Sequence, residues 1–524
     1  MLSVHFLYTA LVLFSSSEKA SAKAIGGLGF TNPFSSERMT QEQTILREHF
    51  VRDQVAWSLN IELEGERANI ERIGILAIKT LSAAQDRLAA GVTATPDEEQ
   101  LYIDLALYVL YYRHVNAFKH LIFDCEESQT PVPLRTLFTA FEKDLHRYFD
   151  ALRPKSARIE SAEFLFALFF QSRRAFHYIY TQVLGSSNAA AQLRARIWES
   201  TFSYDLRRYR RGLFKHMHDI PVLIQGESGT GKELVANAIG LSRFIPFDPQ
   251  EYSFKENFYR QFQPIHLAAL SPTLIESELF GHKKGSFTGA FADRRGYFDR
   301  PEASATVFLD EIGEVDESIQ IKLLRVLQTR KFQVLGESQS RFFGGKVIAA
   351  TNRNLAEEIE EGNFRRDLYY RLCADIVHTP SLSEQFGGKL DELEVFVRYI
   401  LSNLVGPEDV EPVSRESLEW IEKNLGHSYR WPGNFRELEQ CIRNLLLRRD
   451  YRPIPSDRSL SNQKLFYETL GQSQLSADEL LEKYISLVYA EAGTYEETAR
   501  RVQLDRRTVK SKINHAWLKN QTKA

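Results

Sequence analysis

The segment Gly226-Glu227-Ser228-Gly229-Thr230-Gly231-Lys232-Glu233 carries residue types that can hold a polyphosphate. Its glycines let the backbone curl so that N–H groups face phosphate oxygens, and Lys232 can reach the β- and γ-phosphates. A candidate buried strand, Pro221–Gln225, precedes it, and a helical pattern begins at Glu233–Ile239. Further on, Thr306-Val-Phe-Leu-Asp310-Glu311 ends a hydrophobic strand in two acids. Asp310 is placed to hold Mg2+, and Glu311 to polarise a water toward the γ-phosphate. The two segments together predict an ATP-hydrolysing P-loop site. Glu233 departs from the general pattern, which has a magnesium-binding Ser or Thr there.

The elements needed to position these groups sit in a long chain. At 524 residues it is too long for one ordinary domain. Its 43% apolar and 26% charged content is that of a globular protein with several cores, and the net charge of −3 confines any nucleic-acid affinity to a local patch. The three cysteines, Cys125, Cys373 and Cys441, are far apart, which fits a reducing, cytoplasmic setting without a disulfide framework or zinc spacing. Residues 1–38 are expected to be a disordered leader or to precede the true start, for which Met39 is a candidate. The run Leu2–Phe14 is too short to span a bilayer and lacks the preceding basic residues of a signal peptide.

Residues 39–185 read as an all-α regulatory or sensor domain, with apolar residues at helical spacing in Leu101–Phe118, Leu134–Phe149 and Ala162–Val183. Its aromatic stripes are expected to be core. Gly185–Ala191 reads as a linker. Residues 195–380 alternate β-type runs with helical patterns, as an α/β parallel sheet requires, and residues 381–449 read as a helical lid. A polar linker, 450–472, leads to a C-terminal domain, 473–524. There Thr494 is expected to cap a helix over Tyr495–Val502, Gln503-Leu504 to turn, and Asp505 to cap Arg506–Ile513. That spacing suits a DNA-binding helix-turn-helix, with Arg506, Arg507, Lys510 and Lys512 toward phosphates and groove edges.

From about Ile197 to Leu446 the sequence resembles the sigma-54-dependent transcription activators, an AAA+ family. The shared stretches are Gly226–Glu233, Glu276–His282, Phe308–Glu314, Lys322–Gln328, Ala349–Arg353 and Trp431–Leu438. The family also carries Glu after the P-loop lysine, which accounts for Glu233. Gly285-Ser286-Phe287-Thr288-Gly289-Ala290 is similar to the family's sigma-contact loop, with Ser286 in place of Ala. Two glycines there bracket an exposed aromatic and a hydroxyl. The resemblance further implies that Arg365 and Arg371 reach a neighbouring subunit's γ-phosphate, that Thr351-Asn352 is the first sensor and that Arg436, in the lid, is the second. It also implies a ring, expected to be a hexamer and a dimer when inactive, and a Fis-like helix-turn-helix at the C-terminus.

Two departures from the family pattern stand out. His266 occupies the place of an Asn that restrains the catalytic Glu, so it is expected to alter the restraint on Glu311 and make basal turnover pH-sensitive. Leu382-Ser-Glu-Gln-Phe-Gly-Gly replaces the family's lid-opening segment. The implied function is an ATP-dependent activator that binds enhancer-like double-stranded DNA, receives an unidentified signal at its N-terminal domain and remodels sigma-54 RNA polymerase holoenzyme. Two alternatives share these residues: a DNA-bound regulator with weak or no turnover, and an AAA+ remodeller of another protein.

Overall fold

Ser15 and Glu18 begin the described chain's first helix by bonding reciprocally: the Glu18 carboxylate accepts the Ser15 N–H at 2.8 Å, and the Ser15 hydroxyl accepts the Glu18 N–H at 3.4 Å. The computed structural model describes residues 12–51, 68–128, 134–152, 159–260, 262–299, 305–387, 390–427, 429–453 and 476–514. The chain divides into two units, Met1–Arg443 and Asn444–Ala524.

In the first unit the N-terminal helices are α1 (Ser16–Leu28), α2 (Ser36–Leu46), α3 (Ala68–Ala89), α4 (Pro96–Ser128), α5 (Arg135–Phe149), α6 (Ala162–Gln182), α7 (Asn188–Phe202) and α8 (Leu206–Arg211). The expectation of a disordered leader fails from residue 16 onward; residues 1–11 lie outside the described residues. Ala22, Ile25 and Leu28 share a helical face and are buried, and Glu18 pairs with Arg87 of α3 at 2.7 Å. At Gly26 a Cβ would lie 2.9 Å from the Asp104 Cβ of α4, so only glycine permits that approach. Met39 falls inside α2. The expected linker is also shorter than predicted, because Ser187 caps α7 with its hydroxyl on the Ala190 N–H at 3.2 Å.

Helix α6 is buried continuously from Leu165 to Ile179. Its aromatic residues are core, as expected: Phe166 and Phe170 pack on the hairpin strands Phe247–Asp248 and Ser253–Phe254, with ring centroids 4.8 Å (Phe166 to Phe247) and 4.7 Å (Phe170 to Phe254) apart. A helix buried on every side lies between other elements rather than facing water.

The five-stranded sheet is wholly parallel. Its strands are β1 (Val222–Gln225), β2 (Phe262–His266), β3 (Thr306–Asp310), β4 (Lys346–Thr351) and β5 (Asp375–His378), in the order β5-β1-β4-β3-β2. Alternate residues serve opposite faces. Val222, Ile224, Phe308 and Ile348 pack with the N-terminal helices and α9 (Lys232–Gly240); Leu223, Val307, Leu309 and Val347 pack toward α10 (Pro272–Phe280), α11 (Glu317–Thr329) and, beyond α12 (Leu355–Glu360), α13 (Arg366–Leu372). Residues buried on both faces explain the continuous apolar runs.

The lid consists of α14 (Leu382–Phe386), α15 (Leu390–Ser402), α16 (Pro407–Asn424) and α17 (Asn434–Arg448). Its unusual opening is a single helical turn closed by a Ser381–Glu384 capping box and ended by Gly387 at φ 54°.

In the second unit, α18 (Ala477–Ala492), α19 (Tyr495–Val502) and α20 (Arg506–Lys512) close around Ile485, Val509 and Ile513. Thr494 and Asp505 cap α19 and α20, and Gln503 turns between them at φ 55°. Among the described residues no helix is long and apolar enough to cross a membrane.

Candidate active site

The loop Gly226–Gly231 leaves β1 and enters α9 with Gly229 and Gly231 at φ 78° and 87°. Side chains would break this cradle. A Cβ at Gly226 would lie 2.0 Å from the Thr379 hydroxyl, and one at Gly229 would lie 2.4 Å from the Gly433 carbonyl. Lys232 is buried and donates to the Gly226 and Glu227 carbonyls at 3.0 and 3.1 Å. Burial pushes its ammonium below the usual lysine range; Glu311 and Asp310 oppose that shift and Arg436 adds to it.

The cradle opens into a cavity of about 420 Å3. Ser228–Lys232, Asp310 and Glu311 form its polar side, while Leu184, Leu193, Phe396 and Phe435 line the apolar side. A polyphosphate with an attached aromatic base matches both its size and its two-sided chemistry. Among the described residues no group of three or more His, Cys, Asp or Glu could hold a metal alone. One carboxylate such as Asp310 fits the way Mg2+ is usually held, with waters and phosphate oxygens as its other ligands.

Asp310 is engaged on both oxygens. Oδ1 accepts the Glu311 N–H at 3.1 Å, and Oδ2 lies 2.8 Å from His266 Nδ1. This corrects the expected partner of His266, which meets Asp310 and not Glu311. The register of β2 on β3 pairs residues 266 and 310 directly, whereas Glu311 has left the strand at φ 57°. Glu311 instead accepts the Asn352 backbone N–H at 3.3 Å.

Arg436 donates to the Ser228 hydroxyl at 3.1 Å, so the lid touches the cradle where the second sensor was expected. Sequence reasoning missed two supports. Asn434 is fully buried and ties three parts together: its amide donates to Glu227 and to the Ser228 carbonyl at 3.0 and 3.1 Å and accepts the Leu382 N–H at 2.8 Å. It lies within Trp431–Leu438, the available signal. The Thr379 hydroxyl meets that of Thr230 at 2.7 Å, with no local pattern to reveal it. Glu233 is exposed at the first turn of α9.

Arg365 and Arg371 do not line this cavity. Arg365 pairs with Glu317 and Asp367, each at 2.9 Å, and Arg371 is exposed. The loop Gly285–Ala290 sits on the hairpin strands Gly281–His282 and Arg294–Arg295. Phe287 was expected to be exposed, but it is half-buried, edge-on to His282 at 4.9 Å. Gly285 and Gly289, at φ 82° and 105°, turn the loop back so that the Gly285 N–H donates to the Ala290 carbonyl at 2.9 Å. Thr288 is exposed, and the bare aromatic beside the loop is Phe291, 87% exposed.

Residues 206–377 match the family model described as the Sigma-54 interaction domain. Similar proteins include the Nif-specific regulatory protein of Azotobacter vinelandii, 42% identical over 221 residues, which is 42% of this chain and 38% of that protein. The hydrogenase transcriptional regulatory protein HoxA of Bradyrhizobium diazoefficiens is 43% identical over 235 residues, 44% of each chain. The transcriptional regulatory protein ZraR of Salmonella typhimurium is 35% identical over 301 residues, 56% of this chain and 63% of that one. The chain thus spans between 38% and 63% of the length of these relatives.

Proposed function

We propose that the chain is a transcription activator that hydrolyses ATP within a ring and uses the Gly285–Ala290 loop to remodel sigma-54 RNA polymerase at promoters. The observation that carries this reading is a complete phosphate cradle and the loop within one matched sigma-54 interaction domain. Backbone N–H groups of Gly229–Lys232 and the Lys232 ammonium hold the β- and γ-phosphates. Asp310 would help to hold Mg2+, which would supply positive charge to the transferred group. Glu311 orients the attacking water, Asn352 faces it as first sensor, and Arg436 reports lid position. Arg365 and Arg371 act on the neighbouring subunit's nucleotide, which requires a ring, a hexamer by the family's pattern.

The helices α19 and α20 form a helix-turn-helix that binds enhancer-like double-stranded DNA through Arg506, Arg507, Lys510 and Lys512. The N-terminal helices form the signal-receiving part. The pairing of His266 with Asp310 favours a second reading, a DNA-bound regulator with weak turnover.

In vitro transcription with sigma-54 polymerase separates them. Wild type forms ATP-dependent open complexes, and Thr288→Ala hydrolyses ATP without forming them. Normal hydrolysis with no open complexes from wild type would point to another remodelled protein, and absent hydrolysis to the second reading.

A further inference from the structure

Another cavity, of about 190 Å3, lies where α7, α8 and the segment 214–218 meet the start of β4 and the end of α9. It shares no lining residue with the nucleotide cavity. Strand β4 begins at this cavity and ends beside the phosphate cradle, where the Thr351 carbonyl accepts the Gly226 N–H at 3.4 Å. The volume falls below the roughly 300–1,000 Å3 of small-molecule sites, so the space suits an ion better than a larger body.

The wall is basic. Lys215, His218, Arg243 and Lys346 line it, and none of the described residues that do so is Asp or Glu. Lys215 is exposed, whereas Lys346 is 3% exposed. Lys346 donates to the Met217 and Ile220 carbonyls at 3.0 and 2.8 Å and forms no ion pair among the described residues. An ammonium carries three N–H donors, so one remains beyond those two carbonyls.

Carboxylates act on this region only from outside the wall. Asp219 is taken by Arg330 at 2.8 Å, the charge of Glu256 is felt at Arg243, and that of Asp375 at Lys346. A buried cation without a paired anion is unfavourable, and Arg243 and Arg330 add their repulsion to the cost. Burial first, then those arginines, bring the Lys346 pKa down to about 7.

We propose that this cavity binds a small inorganic oxyanion of the phosphate and sulfate class against the Lys346 ammonium. The anion accepts the N–H that the two carbonyls leave over, a charge-assisted bond in a site shielded from water. Arg243, which donates to the Ala305 carbonyl at 3.1 Å, contributes through its charge rather than through a new bond. Lys215 draws the ion in at the exposed rim. The site rests on no part of the proposed function.

Binding should take up a proton. Sulfate keeps both charges throughout the neutral range, so the pH dependence belongs to the protein. Without the anion Lys346 loses its proton above about 7, and with it the ammonium is retained. Affinity should therefore be level below that pH and fall by roughly tenfold per unit above it. The proton affinity of His218 is lowered by burial, so its own charging strengthens binding only at lower pH.

The test is titration calorimetry with sodium sulfate on the full chain saturated with a non-hydrolysable ATP analogue, which fills the other anion-binding cradle. Wild type should bind sulfate, and buffers of different ionisation heat should report uptake of about one proton per sulfate at about pH 8. Lys346→Gln keeps an N–H donor for the carbonyls without the charge and should weaken sulfate at least about tenfold. Unchanged analogue binding shows that this variant is folded; if it is not, proton uptake by wild type decides alone. No binding to wild type, equal binding to Lys346→Gln, or binding without proton uptake overturns the site. None of these readouts uses polymerase or ATP turnover, so a failure of the activator reading is told apart from a failure here.

Discussion

His266 and Asp310 face one another across neighbouring parallel strands, with the imidazole Nδ1 2.8 Å from the carboxylate Oδ2. The Glu311 N–H occupies the other oxygen at 3.1 Å, so the carboxylate is oriented from both ends. Partners that fix a ligating carboxylate typically account for about 10- to 100-fold in metal affinity. His266→Ala should therefore raise the Mg2+ concentration for half-maximal ATPase by about tenfold, and His266→Asn, which can still donate, by much less. ATPase measured across a Mg2+ series checks this. A fall in the Mg2+ requirement would mean that the imidazole competes with the ion.

Arg365 is held by Glu317 and Asp367 on its own chain and does not line its own nucleotide cavity. Exposed pairs of this kind are weak enough to exchange for a phosphate. Arg365→Ala should lower the ATPase rate by about 10³ or more, as loss of an arginine finger does. Lys232→Ala should be inactive for a different reason, in its own cradle. Mixing the two variants should restore part of the activity, since a mixed ring contains intact composite sites. If mixtures stay inactive at every ratio, Arg365 does not act between subunits.

Lys346, at the start of β4, is buried and donates to the Met217 and Ile220 carbonyls at 3.0 and 2.8 Å. Burial, with Arg243 nearby, lowers its pKa from the ordinary 10.5 to about 7. Between those values the unfolded chain holds a proton that the folded chain lacks, so stability rises with pH across that window. Below it both states are protonated and the contribution is constant. Urea unfolding at several pH values should show this rise, and Lys346→Met should flatten it. The slope is the readout, because the substitution also strips two carbonyls of their donor. An unchanged slope in the variant would show that Lys346 titrates normally.

The parts visible in sequence were those with local causes. Gly226–Lys232 announces a phosphate loop because glycines tolerate φ 78° and 87°, the first of them beside the Gly433 carbonyl. Thr494 and Asp505 cap their helices with side chains two or three residues from their acceptors' partners, so the C-terminal boundaries could be read within a residue. Helix α1 was missed because its capping box follows an apolar run that resembles a leader, and its burial depends on α4, far along the chain. The partner of His266 is fixed by strand register between residues 266 and 310, which no local pattern encodes.

The four basic residues of α20 are not equivalent. Arg506 pairs with Glu496 and Lys512 with Asp478, each at 2.8 Å. Arg507 and Lys510 are exposed and form no ion pair among the described residues. A cation already neutralised by a neighbouring carboxylate releases fewer counterions when it meets a phosphate. Arg507→Ala and Lys510→Ala should each weaken duplex binding and reduce the slope of log K against log salt by about 1. Arg506→Ala and Lys512→Ala should change that slope less, because each of these cations is already paired with a carboxylate. Fluorescence anisotropy with a labelled duplex over a salt series measures all four. Equal slope changes in the four variants would show that the pairs open on binding, and no change in any would remove α20 from the DNA-contacting surface.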